Sequence, residues 1–434
     1  MVELHAGPAG ALVDECVRIR VTGLQSRQLV TIRSTTQPFG ASARATFVAE
    51  ADGSVDVSSQ APVEGDYLTC DPMGLFWAAQ LAPEVDFGVV LDCHDSLTPL
   101  ETTIVATVAG VDEAVAVLTR QPHAPDVQRV PVRAGRVRAT LFLPPGARDL
   151  PAVIVVGGSS GGCYELPAAL LASRGFVTLA LAYFGYQDLP AQLAEIPLEY
   201  FQEAIGWLRA QPAVAPTKIG VLGQSRGGEL ALLLGATFPE IAAVVALVPS
   251  AVLMGPDLGD PASVPASWTL GGRSCQEPLV VPFDEDWTSA MLSAAAGGSW
   301  AGSGPLAGTP MTVDAIIRAD PLALDRAMIP VEKTCGPILL VSGEQDEMWP
   351  SVQLAELAVR RLADHGFSHP VEHLRYAGAG HTAAIAPYFP TTRNWLAHSQ
   401  FPFPMAIGGE PGGTATAQVA AAEQILRFLS LHLA

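Results

Sequence analysis

Gly223-Gln224-Ser225-Arg226-Gly227 is the stretch of this 434-residue chain with the clearest capacity for chemistry. An apolar run at 219–222 precedes it, and a small or apolar run at 230–236 follows. This order predicts strand, sharp turn and helix, with the serine at the turn. A G-x-S-x-G in that setting makes a nucleophile elbow, whose strained backbone lifts the serine Oγ into the open. Side chains two residues before and after would strike the neighbouring strand and helix, which explains Gly223 and Gly227. The helix aims its N-terminal N–H groups and dipole at an anion formed on attack.

A serine is a poor nucleophile at neutral pH without a base, and the base needs an acid to orient it. In α/β-hydrolases the chain order is serine, acid, histidine, each on a loop after a strand. The run 338–341 reads as a strand that ends at Gly343, and Glu344-Gln345-Asp346-Glu347 follows it. Three acids therefore compete: Glu344, Asp346 and Glu347. The run 373–376 reads as the next strand, followed by Ala377-Gly378-Ala379-Gly380-His381. Of nine histidines, His381 alone follows a late strand through a glycine-rich loop. His365, His369 and His373 are expected at solvent. A second G-x-S-x-G, Gly158-Ser159-Ser160-Gly161-Gly162, also follows a strand. Ser160 is thus a rival nucleophile. The loop's place after the first parallel strand suits another task, donating a backbone N–H from Ser159 or Ser160 to the oxyanion, with Arg226 N–H as second donor.

These groups need a scaffold. From about residue 128 a hairpin at 130–143 is followed by alternating strands and helices: strands at 153–156, 177–182, 242–248, 338–341 and 371–376, helices at 198–208, 354–362 and 418–431. Continuous apolar strands between helices imply a mostly parallel sheet covered on both faces. Residues 1–122 instead carry short alternating strands with turn residues between them, the pattern of a β-sandwich. The expected organisation is an N-terminal β-sandwich domain, 1–122, and an α/β-hydrolase catalytic domain, 123–434. The segment 256–311, rich in Gly, Pro, Ser and Ala and carrying Trp268, Trp287 and Trp300, interrupts the alternation. A structureless stretch that long is improbable inside a compact domain unless functional, and it is read as a partial lid over the site or a surface insertion.

The formal net charge of −19 argues against nucleic acid or anionic membrane as a partner. The six cysteines are scattered without a C-x-x-C, as expected of reduced thiols in a cytoplasmic protein. No signal peptide and no transmembrane run is expected. The Gly-rich loop lacks the Lys-Ser/Thr of a phosphate loop, and neither a metal nor a cofactor is expected.

Over nearly its whole length the chain resembles the type I acyl-CoA thioesterases and bile acid-CoA:amino acid N-acyltransferase. Asp71-Pro72-Met73-Gly74-Leu75-Phe76-Trp77 is similar to that family's E-P-M-G-L-L-W. Ser225-Arg226-Gly227-Gly228-Glu229-Leu230 resembles S-K-G-G-E-L, and Gly343-Glu344-Gln345-Asp346-Glu347-Met348-Trp349 resembles G-x-D-D-H-N-W. Gly380-His381 through Pro387-Tyr388-Phe389-Pro390 resembles G-H-Y-I-E-P-P-Y-F-P. The resemblance places the acid on Asp346. It implies a Ser225–Asp346–His381 triad acting on acyl thioesters, carried by CoA or an acyl carrier. The family's N-acyltransferase branch uses cysteine, so a serine here favours water as acceptor. Acyl transfer to another acceptor, a carrier-protein thioesterase and carboxylester hydrolysis are the alternatives. Two departures stand out: Arg226 replaces a lysine, and 256–311 differs in sequence.

Overall fold

The computed structural model of the chain describes residues 1–82, 85, 97–255, 266–296, 302, 304–384, 386–397 and 403–433. Within the first 120 residues, strands such as Leu29–Gln37 and Ala41–Val48 alternate buried and outward positions. They form a five-stranded and a three-stranded sheet. Ile19 and Val21 of the smaller sheet share one core with Val30, Ile32 and Phe47 of the larger. Two sheets that bury alternate residues against each other make a sandwich.

An eight-stranded sheet follows. Its order is Gln128–Ala134, Val137–Leu143, Val177–Ala182, Leu150–Val156, Val214–Gln224, Ile241–Leu247, Ile338–Gly343 and Val371–Tyr376. The first three are antiparallel neighbours. From Val177–Ala182 onward every neighbouring pair is parallel. Successive residues of the inner strands face opposite covers: Ile154 and Val156 enter one core, Val153 and Val155 another. Burial on both faces is why these strands read as unbroken apolar runs. Leu198–Arg209 and Arg226–Thr237 cover the first face, Glu165–Ala172 and Pro411–Leu433 the second.

Helix Glu165–Ala172 carries no sequence period, because almost every residue in it is buried. It touches the sheet on one side and the sandwich on the other. Leu166, Leu170, Phe389 and Ile407 share the core of Leu75 and Phe76.

The segment 256–311 has structure where it is described. Trp268–Leu270 pairs with Ile196–Pro197 and with Arg273–Ser274, and Glu285–Ala295 is a helix. Residues 256–265 and 297–301, Trp300 among them, lie outside the described residues. Among the described residues no helix is long and apolar enough to cross a membrane.

Candidate active site

Ser225 sits between the strand Val214–Gln224 and the helix Arg226–Thr237 with φ 58° and ψ −121°. A positive φ is costly for serine and is held only by over-determining surroundings. Here the Ser225 N–H donates to Leu247 O at 2.8 Å, and Ser225 O accepts from Gly228 N–H at 2.8 Å. The glycines permit the turn. A Cβ on Gly223 would lie 1.9 Å from Gly227 O, and one on Gly227 would lie 2.3 Å from Gly157 O. These are the collisions with helix and neighbouring strand that the motif predicts.

His381 Nε2 lies 2.9 Å from Ser225 Oγ, and His381 Nδ1 lies 2.9 Å from Asp346 Oδ2. All three residues are buried. The second Asp346 oxygen accepts from the N–H groups of Met348, at 3.0 Å, and Trp349, at 3.3 Å. Asp346 is thus fixed by its own loop, with one oxygen left for the imidazole. The His381 N–H donates to Ile407 O at 2.8 Å, which anchors the glycine-rich loop. Of the competing acids, Glu344 is exposed and pairs with Arg375 at 3.1 Å, and Glu347 is exposed. His365 and His369 are exposed as expected. His373 is not: it is half-buried, with Nε2 3.1 Å from Ser342 Oγ.

The loop Gly158–Gly162 lies against the serine, since a Cβ on Gly158 would be 3.3 Å from Ser225 Cβ. Gly161 and Gly162 have positive φ, and their N–H groups donate to Gly158 O and Phe184 O. Ser159 and Ser160 both line the cavity that Ser225 and His381 open into. Arg226 begins the nucleophile helix, where the first N–H groups have no intrahelical acceptor.

Behind the serine lies a polar group that sequence patterning does not reveal. Arg226 Nη1 donates to Glu229 Oε2 at 2.7 Å, and Arg226 Nη2 donates to Met254 O at 3.0 Å. The other Glu229 oxygen accepts from Trp268 Nε1 at 2.7 Å. Farther along the same segment, Thr309 Oγ1 donates to Asp346 O at 2.7 Å. The described part of 256–311 therefore braces the nucleophile helix and the acid loop from behind. Among the described residues, none of this segment lines the cavity.

The cavity has a volume of about 160 Å³. Leu166, Leu170 and Leu171 form one wall and Ala422, Ile425 and Leu426 another. Asp14 and Arg174 also line it. Among the described residues there is no group of three or more His, Cys, Asp or Glu side chains placed to hold a metal ion.

Two family models match the chain. One, described as the acyl-CoA thioester hydrolase/BAAT N-terminal region, matches residues 14–134. The other, described as BAAT/acyl-CoA thioester hydrolase C terminal, matches 196–259 and 311–434. The gap between its two parts coincides with the interrupting segment. The chain is 34% identical to acyl-coenzyme A amino acid N-acyltransferase 2 of Rattus norvegicus, with 100% of this chain and 98% of that protein covered. It is 33% identical to peroxisomal succinyl-coenzyme A thioesterase of Mus musculus, with 97% and 94% covered. It is likewise 33% identical to acyl-coenzyme A thioesterase 1 of Homo sapiens, with 98% and 96% covered.

Proposed function

Because this chain belongs to the acyl-CoA thioester hydrolase/BAAT family, we propose that it hydrolyses acyl-CoA to free acid and CoA through an acyl-serine intermediate. The observation that carries this reading is the buried hydrogen-bonded chain Ser225–His381–Asp346, with Ser225 and His381 lining a largely apolar cavity. Ser225 Oγ attacks the thioester carbonyl while its proton passes to His381 Nε2. Asp346 holds the His381 Nδ1–H and stabilises the imidazolium. The Arg226 N–H and an N–H of Ser159 or Ser160 take the oxyanion. The carbon–sulfur bond breaks, and the CoA thiolate leaves with the proton from His381. Water then gives a proton to His381 and attacks the acyl-serine ester; the acyl–Oγ bond breaks, His381 returns the proton to Ser225 Oγ, and the acid is released. The acyl chain lies along the apolar walls.

Acyl transfer is the second reading, supported by the identity to an amino acid N-acyltransferase. The same three residues would form the acyl-enzyme, and an amine would replace water. A serine ester is open to water, and release of free acid follows unless the site excludes it. The deciding experiment supplies acyl-CoA with millimolar glycine or taurine and identifies products by mass spectrometry. Free acid as the main product supports hydrolysis, whereas an amide as the main product replaces it with acyl transfer.

A further inference from the structure

The cavity is not lined by apolar side chains alone. Leu166, Pro167, Leu170, Leu171 and Arg174 line it from one face of a single helix and its exit. These positions recur at the spacing of one helical face. Ser159 and Ser160, beside the nucleophile, precede the start of that helix, and Arg174 follows its end. From Leu166 to Ala172 the helical rise covers about 9 Å. Ala422, Ile425 and Leu426 form the facing wall from the C-terminal helix. The lining thus joins Ser225 and a charged pair through apolar walls.

That pair joins the two parts of the molecule. Arg174 Nη2 lies 3.1 Å from both carboxylate oxygens of Asp14 and 3.7 Å from Glu15 Oε1. The side chains are 28% and 11% exposed for Arg174 and Asp14. Arg174 Nε and Nη1 make no hydrogen bond to a described residue. The lining thus includes a carboxylate that can accept and a guanidinium with donors to spare among the described residues. Two carboxylates around one guanidinium disfavour a third, so an anionic terminus fits badly. A hydroxyl fits both partners, donating to Asp14 and accepting from Arg174. A methyl terminus satisfies neither, and a longer alkyl chain would strip water from the pair without replacing its hydrogen bonds.

We propose that the Arg174–Asp14 pair reads the far end of the acyl group, limiting chain length and selecting a medium-length chain with a terminal hydroxyl. This inference rests on the cavity being the acyl site. A hydrogen bond to a charged group supports roughly a tenfold or larger preference.

The test compares kcat/KM for octanoyl-, dodecanoyl- and hexadecanoyl-CoA with their ω-hydroxy counterparts. The wild type is expected to prefer an ω-hydroxy substrate over its parent by about tenfold or more. Arg174→Lys keeps the charge but withdraws the spare planar donors, and is expected to lose most of that preference. Asp14→Leu/Arg174→Leu removes both charges and is expected to lose it entirely while gaining activity on hexadecanoyl-CoA. Equal rates for hydroxylated and parent substrates in the wild type overturn the proposal. A preference that survives both variants does so too. If no acyl-CoA releases thiol, the thioesterase reading fails on its own. Calorimetric binding of ω-hydroxydodecanoate against dodecanoate, in wild type and Arg174→Lys, then decides the terminal-hydroxyl reading by the same comparison.

Discussion

Arg226 and Glu229 form a buried ion pair directly behind the nucleophile, with side chains 3% and 0% exposed. The pair ties the residue after Ser225 to Trp268, on a segment whose described residues do not line the cavity. Removing one partner strands a buried charge, which costs far more than removing both. Glu229→Ala is expected to lose about 3–5 kcal/mol of stability, read from urea unfolding. Arg226→Met/Glu229→Leu is expected to lose clearly less. Equal losses would show that the pair is held by something other than mutual neutralisation.

Ser225→Ala is expected to lower kcat by about four orders of magnitude or more, since the three groups act as a unit. The melting temperature is expected to hold. Ser160→Ala is expected to cost about tenfold at most, because the role assigned to it is a backbone donation. Thiol release from acyl-CoA measures both. If Ser160→Ala abolishes turnover and Ser225→Ala does not, the nucleophile is misassigned.

Asp346→Asn is expected to reduce kcat by about 10⁴-fold, because an amide N–H at that place favours the wrong imidazole tautomer. Glu344→Gln and Glu347→Gln are expected to stay near wild type. A large loss for either glutamate variant would reject Asp346 as the orienting acid.

Gly223→Ala places a methyl where Gly227 O already sits. Neither backbone can yield without breaking the turn, so a loss above about 4 kcal/mol is expected, in the range that marks steric disruption. Circular dichroism and yield of folded protein report it. A well-folded, active Gly223→Ala enzyme would contradict the geometry of the elbow.

Burial lifts the Asp14 carboxyl above its ordinary value of 3.8, with Arg174 pulling the other way. A raised carboxyl means that the folded state favours the neutral form more than the unfolded chain does. Its charge therefore costs stability above both values, and the cost vanishes as pH falls through the raised folded value to below 3.8. Asp14→Asn is expected to be stabilised relative to wild type near neutral pH, with the advantage shrinking in acid. Thermal midpoints across that range provide the check, and an advantage that grows in acid would reverse the sign.

Local chemistry was legible where short-range rules act. The elbow announces itself because strand, glycines and helix are contiguous. The strand Val177–Ala182 stands where an apolar run and turn residues put it. The acid remained one of three until the family motif and then the fold separated Asp346 from Glu344 and Glu347. Other features had no local signature. Helix Glu165–Ala172 is buried nearly all round, so it lacks a polar stripe to give it a period. Asp14 and Arg174 are 160 residues apart, and nothing near either predicts the other. Trp268 lies in a Gly- and Pro-rich setting that reads as loop, yet it is among the most buried side chains. His373 likewise meets Ser342 of the neighbouring strand, a contact that no local pattern announces.

Leu166 and Leu170 belong both to the cavity wall and to the core shared with the N-terminal sandwich. The sandwich thus backs one wall of the cavity, and under the proposed function it would mould the substrate's tail while supplying no group to the bond that breaks. Selection can then reshape the substrate profile by substitutions in a part of the gene remote from the elbow, with the reaction itself untouched. A chimera that takes residues 1–122 from a relative is expected to inherit that relative's acyl preference along with the sandwich. Its dependence on Ser225 is expected to remain.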